Sequence, residues 1–99
     1  MIRFTVVWTH EAENELAEIW NQASDRASVT SAAATIDAEL AVDAAAKGEQ
    51  LSEGLRKLRV LPLIAIFSAN QEDRLVEIAT VRYRPPHGSL SSGSGPGNR

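Results

Sequence analysis

The sequence predicts an α+β domain of element order β-α-α-β-β-β: a small, mainly antiparallel sheet with a two-helix hairpin packed on one face. Three observations predict it. Alternating apolar residues at Phe4, Val6 and Trp8 give way to two successive segments with helical spacing. The second half switches to strand patterning, centred on the continuously apolar run Leu63-Ile64-Ala65-Ile66-Phe67. The connections between segments are short, which favours antiparallel neighbours.

The first strand is rich in β-branched and aromatic residues. Thr9 follows as an N-cap, with Glu11 and Glu13 in the first helical turn, where carboxylates complement the helix dipole. Ala12, Leu16, Ile19, Trp20 and Ala23 recur at helical spacing, so helix one is expected from about His10 to about Ala27. Trp8 and Trp20 are both expected in the core. A second helix is expected from near Ser28, with Val29, Ala33, Ile36 and Leu40 on its apolar stripe and Lys47-Gly48 as its stop.

Glu49 to Glu53 reads as a polar connection. A strand is expected over about Leu55 to Leu61, where Pro62 breaks the ladder and bends the chain. The apolar run 63–67 is the pattern of a central strand buried on both faces. Asn70-Gln71-Glu72-Asp73 is a hairpin turn, and Leu75 to Arg84 is the last strand. Strict alternation puts Val76, Ile78 and Thr80 on one side of it and Glu77, Ala79, Val81 and Tyr83 on the other. The domain is expected over 1–86, with a Gly/Ser-rich flexible tail over 87–99.

Charge is segregated. Residues 11–53 hold ten acids and two bases, net −8, whereas residues 54–99 hold seven bases and three acids, net +4. The positive charge gathers at Arg56-Lys57-Leu58-Arg59 and at Arg82-Tyr83-Arg84, both on expected strands. Such segregation builds a local cationic surface for an anionic partner, although the whole chain is acidic at −3. Arg56, Lys57, Arg59, Arg82, Tyr83 and Arg84 are the candidate target-binding residues. Tyr83 adds an aromatic face or a phenolic hydroxyl.

Several chemistries are excluded. Without cysteine there is no disulfide scaffold, thiol nucleophile or thiolate metal site. The sequence has no H-E-x-x-H pattern, calcium loop, Gly-rich phosphate loop or G-x-S-x-G elbow, so no metal and no cofactor are expected. His10 reads as structural, and His87 as a loop histidine in the tail. No apolar run approaches the length of a membrane span and no signal peptide is evident, so a cytoplasmic protein with no membrane partner is expected.

Three stretches carry a resemblance. Val6 to Ile19 resembles the opening of RelE/ParE superfamily toxins: a strand, a Thr or Ser cap, then an A-x-x-[DE]-L-x-x-I helix. Leu58-Arg59-Val60-Leu61-Pro62-Leu63-Ile64-Ala65-Ile66-Phe67 is similar to the family's R-x-L-x-V-x-P-L-x-V-x-[YF] region, and Leu75 to Arg84 to its last strand and basic end. The resemblance covers about residues 4–84. It implies the toxin of a type II toxin-antitoxin, or plasmid stabilisation, module, held inactive by a cognate antitoxin. The cellular target it implies is DNA gyrase, for a noncatalytic ParE-like toxin, or the ribosome and its mRNA, for a RelE-like endoribonuclease.

Metal-independent RNA cleavage needs a base for the 2′-hydroxyl, cations for the phosphorane and an acid for the leaving oxygen. As a nuclease, the chain offers Arg56, Lys57, Arg59, Arg82 and Tyr83 as candidate catalytic residues. No base is evident among them, which inclines the reading toward the noncatalytic toxin. The alternatives are the ribosome-dependent nuclease and a small interaction module without toxicity.

Overall fold

The computed structural model describes residues 2–52 and 54–85. The expected tail, including His87, lies outside the described residues. The elements are β1 (Thr5–Trp8), α1 (His10–Gln22), α2 (Arg26–Leu40), a 3-10 turn (Ala44–Ala46), β2 (Glu49–Ser52), β3 (Leu55–Val60), β4 (Leu63–Asn70) and β5 (Leu75–Tyr83). The sheet order is β1-β5-β4-β3-β2, parallel only between β1 and β5. This is the expected α+β architecture with one strand more. Glu49–Ser52, expected as a polar connection, forms edge strand β2. An edge strand needs no apolar face, and this one is exposed throughout, so its sequence carries no strand alternation.

Both helices pack on one face of the sheet. Val29, Ala32, Ile36 and Leu40 of α2 meet Leu63, Ala65, Phe67, Val76, Ile78 and Val81 of β4 and β5 in one core. Full burial of a side chain such as Phe67, Ile36 or Leu63 stabilises the fold by about 1.5–3 kcal/mol. From α1 only Ala12 is fully buried, which lets that helix approach β5 closely. Thr9 secures the approach. Its hydroxyl accepts from Ala12 N at 3.1 Å and lies 2.9 Å from the Ile78 carbonyl, to which it donates.

Three helix expectations need correction. The break between the helices falls at Ala23–Asp25, not near Ser28, because the Asp25 side chain caps α2 by accepting from Ser28 N at 3.2 Å and Ser28 Oγ at 2.7 Å. α2 ends at Leu40, not at Lys47. There Phe4 N donates to the Ala41 carbonyl and Asp43 N to the Ile2 carbonyl, so pairing with the N-terminal segment replaces further helix. Trp20 is not in the core; it is 41% exposed on α1, while Trp8 packs against the core and donates its indole N–H to Asp37 at 3.3 Å.

The last correction concerns β5. Ile66 pairs with Thr80 but Phe67 pairs with Ile78, so Ala79 is an extra residue in a β-bulge. The alternation expected from the sequence shifts there. Val81 returns to the core face with Val76 and Ile78, instead of facing away from them.

Candidate target-binding face

The face of the sheet away from the helices is uncovered. Register defines its rows, because paired residues point the same way. Arg59 of β3, Ile64 of β4 and Arg82 of β5 form one row. Lys57, Ile66 and Thr80 form the next. The intervening row, Leu58, Ala65 and Val81, points to the core. Ile64 is only 8% exposed although it lies outside the core cluster, as expected for an apolar side chain flanked by two arginine stems.

Of the expected cations, Arg59 and Arg82 are exposed, and among the described residues neither has an ion-pair partner. Arg84, just past the end of β5, is exposed as well. Lys57 is engaged. Its ammonium lies 3.3 Å from the Glu49 carboxylate, its partner in the β2–β3 register.

Two expected members do not belong to this face. Arg56 points to the helix side, opposite Phe67, and donates Nε to the Lys47 carbonyl at 2.8 Å and Nη2 to the Gly48 carbonyl at 3.2 Å. It ties the 3-10 turn to the sheet. Tyr83 pairs with the core residue Leu63, so its ring also lies on the helix side, 37% exposed. The alternation that sends Arg82 outward sends Tyr83 the other way. His10 is exposed in the first turn of α1. No group of residues able to hold a metal ion occurs among the described residues. None of the described helices is long and apolar enough to cross a membrane.

A second surface lies between the helices. An apolar groove of about 420 Å³ runs along Leu16, Ala17, Trp20, Val29 and Ala33. Trp20 is held in it from two sides. Its indole N–H donates to Thr30 Oγ1 at 3.1 Å, and the Arg26 guanidinium stacks 4.6 Å above the ring. Arg26 also donates to the Trp20 and Asn21 carbonyls, closing the C-terminus of α1. The helical spacing of 16, 20, 29 and 33 is visible in the sequence, but the exposure of Trp20 and the Arg26 contact are not.

No protein-family model matches the chain, and no curated protein matches it. Solved structures do. A chain of the toxin-antitoxin complex RelBE2 from Mycobacterium tuberculosis superposes with a TM-score of 0.70 and 18% identity, over 85% of this chain and 94% of that one. A chain of the chromosomal ParDE toxin-antitoxin system from P. aeruginosa superposes with a TM-score of 0.61 and 17% identity, over 85% of this chain and 99% of that one. At these identities the likeness is one of fold, and it is the RelE/ParE-like fold that the sequence motifs resemble.

Proposed function

We propose that the chain is the toxin of a type II toxin-antitoxin pair, cytoplasmic, and acting by binding its target rather than by catalysis. The observation that carries this reading is the extent of the fold likeness. Nearly the whole length of two chains from toxin-antitoxin systems superposes on this one.

The noncatalytic part of the proposal is supported by the chemistry of the uncovered face. Arg59 and Arg82 supply cations there, but Tyr83 points to the opposite face and Glu49 is bound to Lys57. Among the described residues, no imidazole, phenol or free carboxylate stands in their row to accept the 2′-hydroxyl proton. A toxin of this kind blocks a macromolecular target, with a gyrase-like protein as the first candidate.

The antitoxin has two natural receptors. The groove around Trp20 suits the apolar face of an amphipathic helix, and the free edge of β2, with Leu51 exposed, suits an added strand. The alternative reading is a RelE-like nuclease acting on ribosome-bound mRNA.

Induced expression without a partner tests the reading. A toxin arrests growth; normal growth with good soluble yield overturns it. In arrested cells, failing DNA supercoiling with intact mRNA supports the binding toxin, whereas rapid loss of amino-acid incorporation with cut mRNA supports the nuclease.

A further inference from the structure

From the uncovered sheet face we infer that its ligand is an acidic protein segment, not a nucleic acid, with Arg59 and Arg82 each taking a carboxylate. The inference deepens the proposed binding function and rests on it for its biological setting.

Three observations carry it. The first is the absence of a stacking platform. The chain has five aromatic residues. Phe4 and Phe67 are in the core, Trp8 packs against it, Trp20 lies in the interhelical groove, and Tyr83 faces the helix side. The uncovered face therefore offers Ile64 and Ile66 where a single-strand binder would offer aromatic rings.

The second observation is the count of free cations. On this face, among the described residues, Glu49 occupies Lys57, which leaves Arg59, Arg82 and the adjacent Arg84. Nucleic-acid affinity is built from many phosphate contacts, each releasing counterions, and three cations on a chain of net charge −3 provide little of it.

The third is geometry. Arg59 and Arg82 are separated by two strand spacings, roughly 10 Å between backbones. A carboxylate seven residues from another on a helix lies about 10.5 Å away on the same side, close to that separation. A guanidinium receives a carboxylate through two parallel N–H donors, which two arginines facing outward are placed to supply.

The test is a titration of the ¹⁵N-labelled full chain, followed by NMR amide shifts, with two probes. One is a capped alanine-based helical peptide with two Glu residues seven apart flanking a Leu pair; the other is a single-stranded oligouridine RNA. The expected result is peptide-induced shifts at Lys57, Arg59, Ile64, Ile66, Thr80 and Arg82, at concentrations where the RNA gives none. Arg59→Gln and Arg82→Gln should each weaken peptide binding about two- to five-fold, and a peptide with Lys in place of Glu should not bind. RNA shifts at this face that exceed the peptide's overturn the inference. So do peptide shifts confined to the Trp20 groove, or no shifts at all. The titration is independent of toxicity. A chain that arrests growth but prefers RNA loses only this inference, and one that binds the peptide without arresting growth loses only the toxin reading.

Discussion

The Glu15 carboxylate of α1 accepts the amide N–H of Val81 in β5 at 2.9 Å, so a side chain stands where the next residue of β1 would have paired. β1 stops at Trp8, opposite Ile78. Beyond that point β5 has no strand on its β1 side, and Glu15 also takes the Thr80 hydroxyl at 2.6 Å. The helix thus continues the sheet edge with one carboxylate. Replacing Glu15 with Ala leaves the part-buried Val81 donor without its partner. The expected loss is about 1–3 kcal/mol, read as a lower urea midpoint. Glu15→Gln, which retains an acceptor oxygen, should recover part of it.

The arginines divide by the face they occupy. Arg56→Ala removes two hydrogen bonds to the carbonyls of Lys47 and Gly48 and should cost about 1–3 kcal/mol in stability. Arg59→Ala and Arg82→Ala remove no described ion pair and should change stability by less than about 0.5 kcal/mol, while weakening growth arrest. Urea unfolding and plate growth, measured on the same three variants, separate the two roles.

Gly48 is required by its surroundings. Its φ is +67°, and a Cβ there would run into the backbone carbonyl of Lys57. Gly48→Ala therefore combines left-handed strain with a clash that only β3 can relieve. A loss of at least about 1–2 kcal/mol is expected in equilibrium unfolding. Gly54, with φ of +81° but open space around it, should tolerate Ala better.

Trp20 tests the groove. Trp20→Ala removes a half-exposed ring that lies outside the core cluster, so the fold should survive while neutralisation by the antitoxin fails. Buried aromatic anchors at interfaces are commonly worth about 2 kcal/mol or more, close to a thirty-fold change in affinity. Co-expression growth and calorimetry with the purified antitoxin read this directly.

Asp25 sets an acid limit on α2. Hydrogen bonds from the Ser28 hydroxyl and the Ser28 amide hold its carboxyl below the ordinary carboxylate range. A carboxyl with a lowered folded-state pKa binds protons more readily when unfolded. Its stabilisation is present above about pH 4 and is lost as pH falls through the lowered value. The difference in urea midpoint between wild type and Asp25→Ala should hold from neutral pH down to about pH 5 and narrow below pH 4.

Much of the fold was legible because its signals are local. Thr9, the 16–20 helical spacing, the apolar run 63–67 and the turn at 70–73 each reflect short-range chemistry, and each stands in the structure. The rest depends on distant partners. α2 ends at Leu40 because Ile2 and Phe4, far away in sequence, bond to its end. β2 has no alternation because an edge has no core to face. The cationic patch was visible as composition, but its membership was not. Arg56 is drawn off by carbonyls, Lys57 by Glu49, and Tyr83 by strand direction.

The bulge in β5 carries one further consequence. Side-chain direction along a strand behaves like a reading frame of two, and Ala79 is a frameshift in it. Upstream, Val76 and Ile78 are read as inward; downstream, Val81 is inward and Arg82 outward, beside Arg59. Closing the bulge without removing a residue would turn Arg82 into the core and Val81 into water. Deleting Ala79 would leave the direction of every residue from Thr80 onward unchanged. One alanine without a pairing partner thus decides which side of the sheet the cationic row is on.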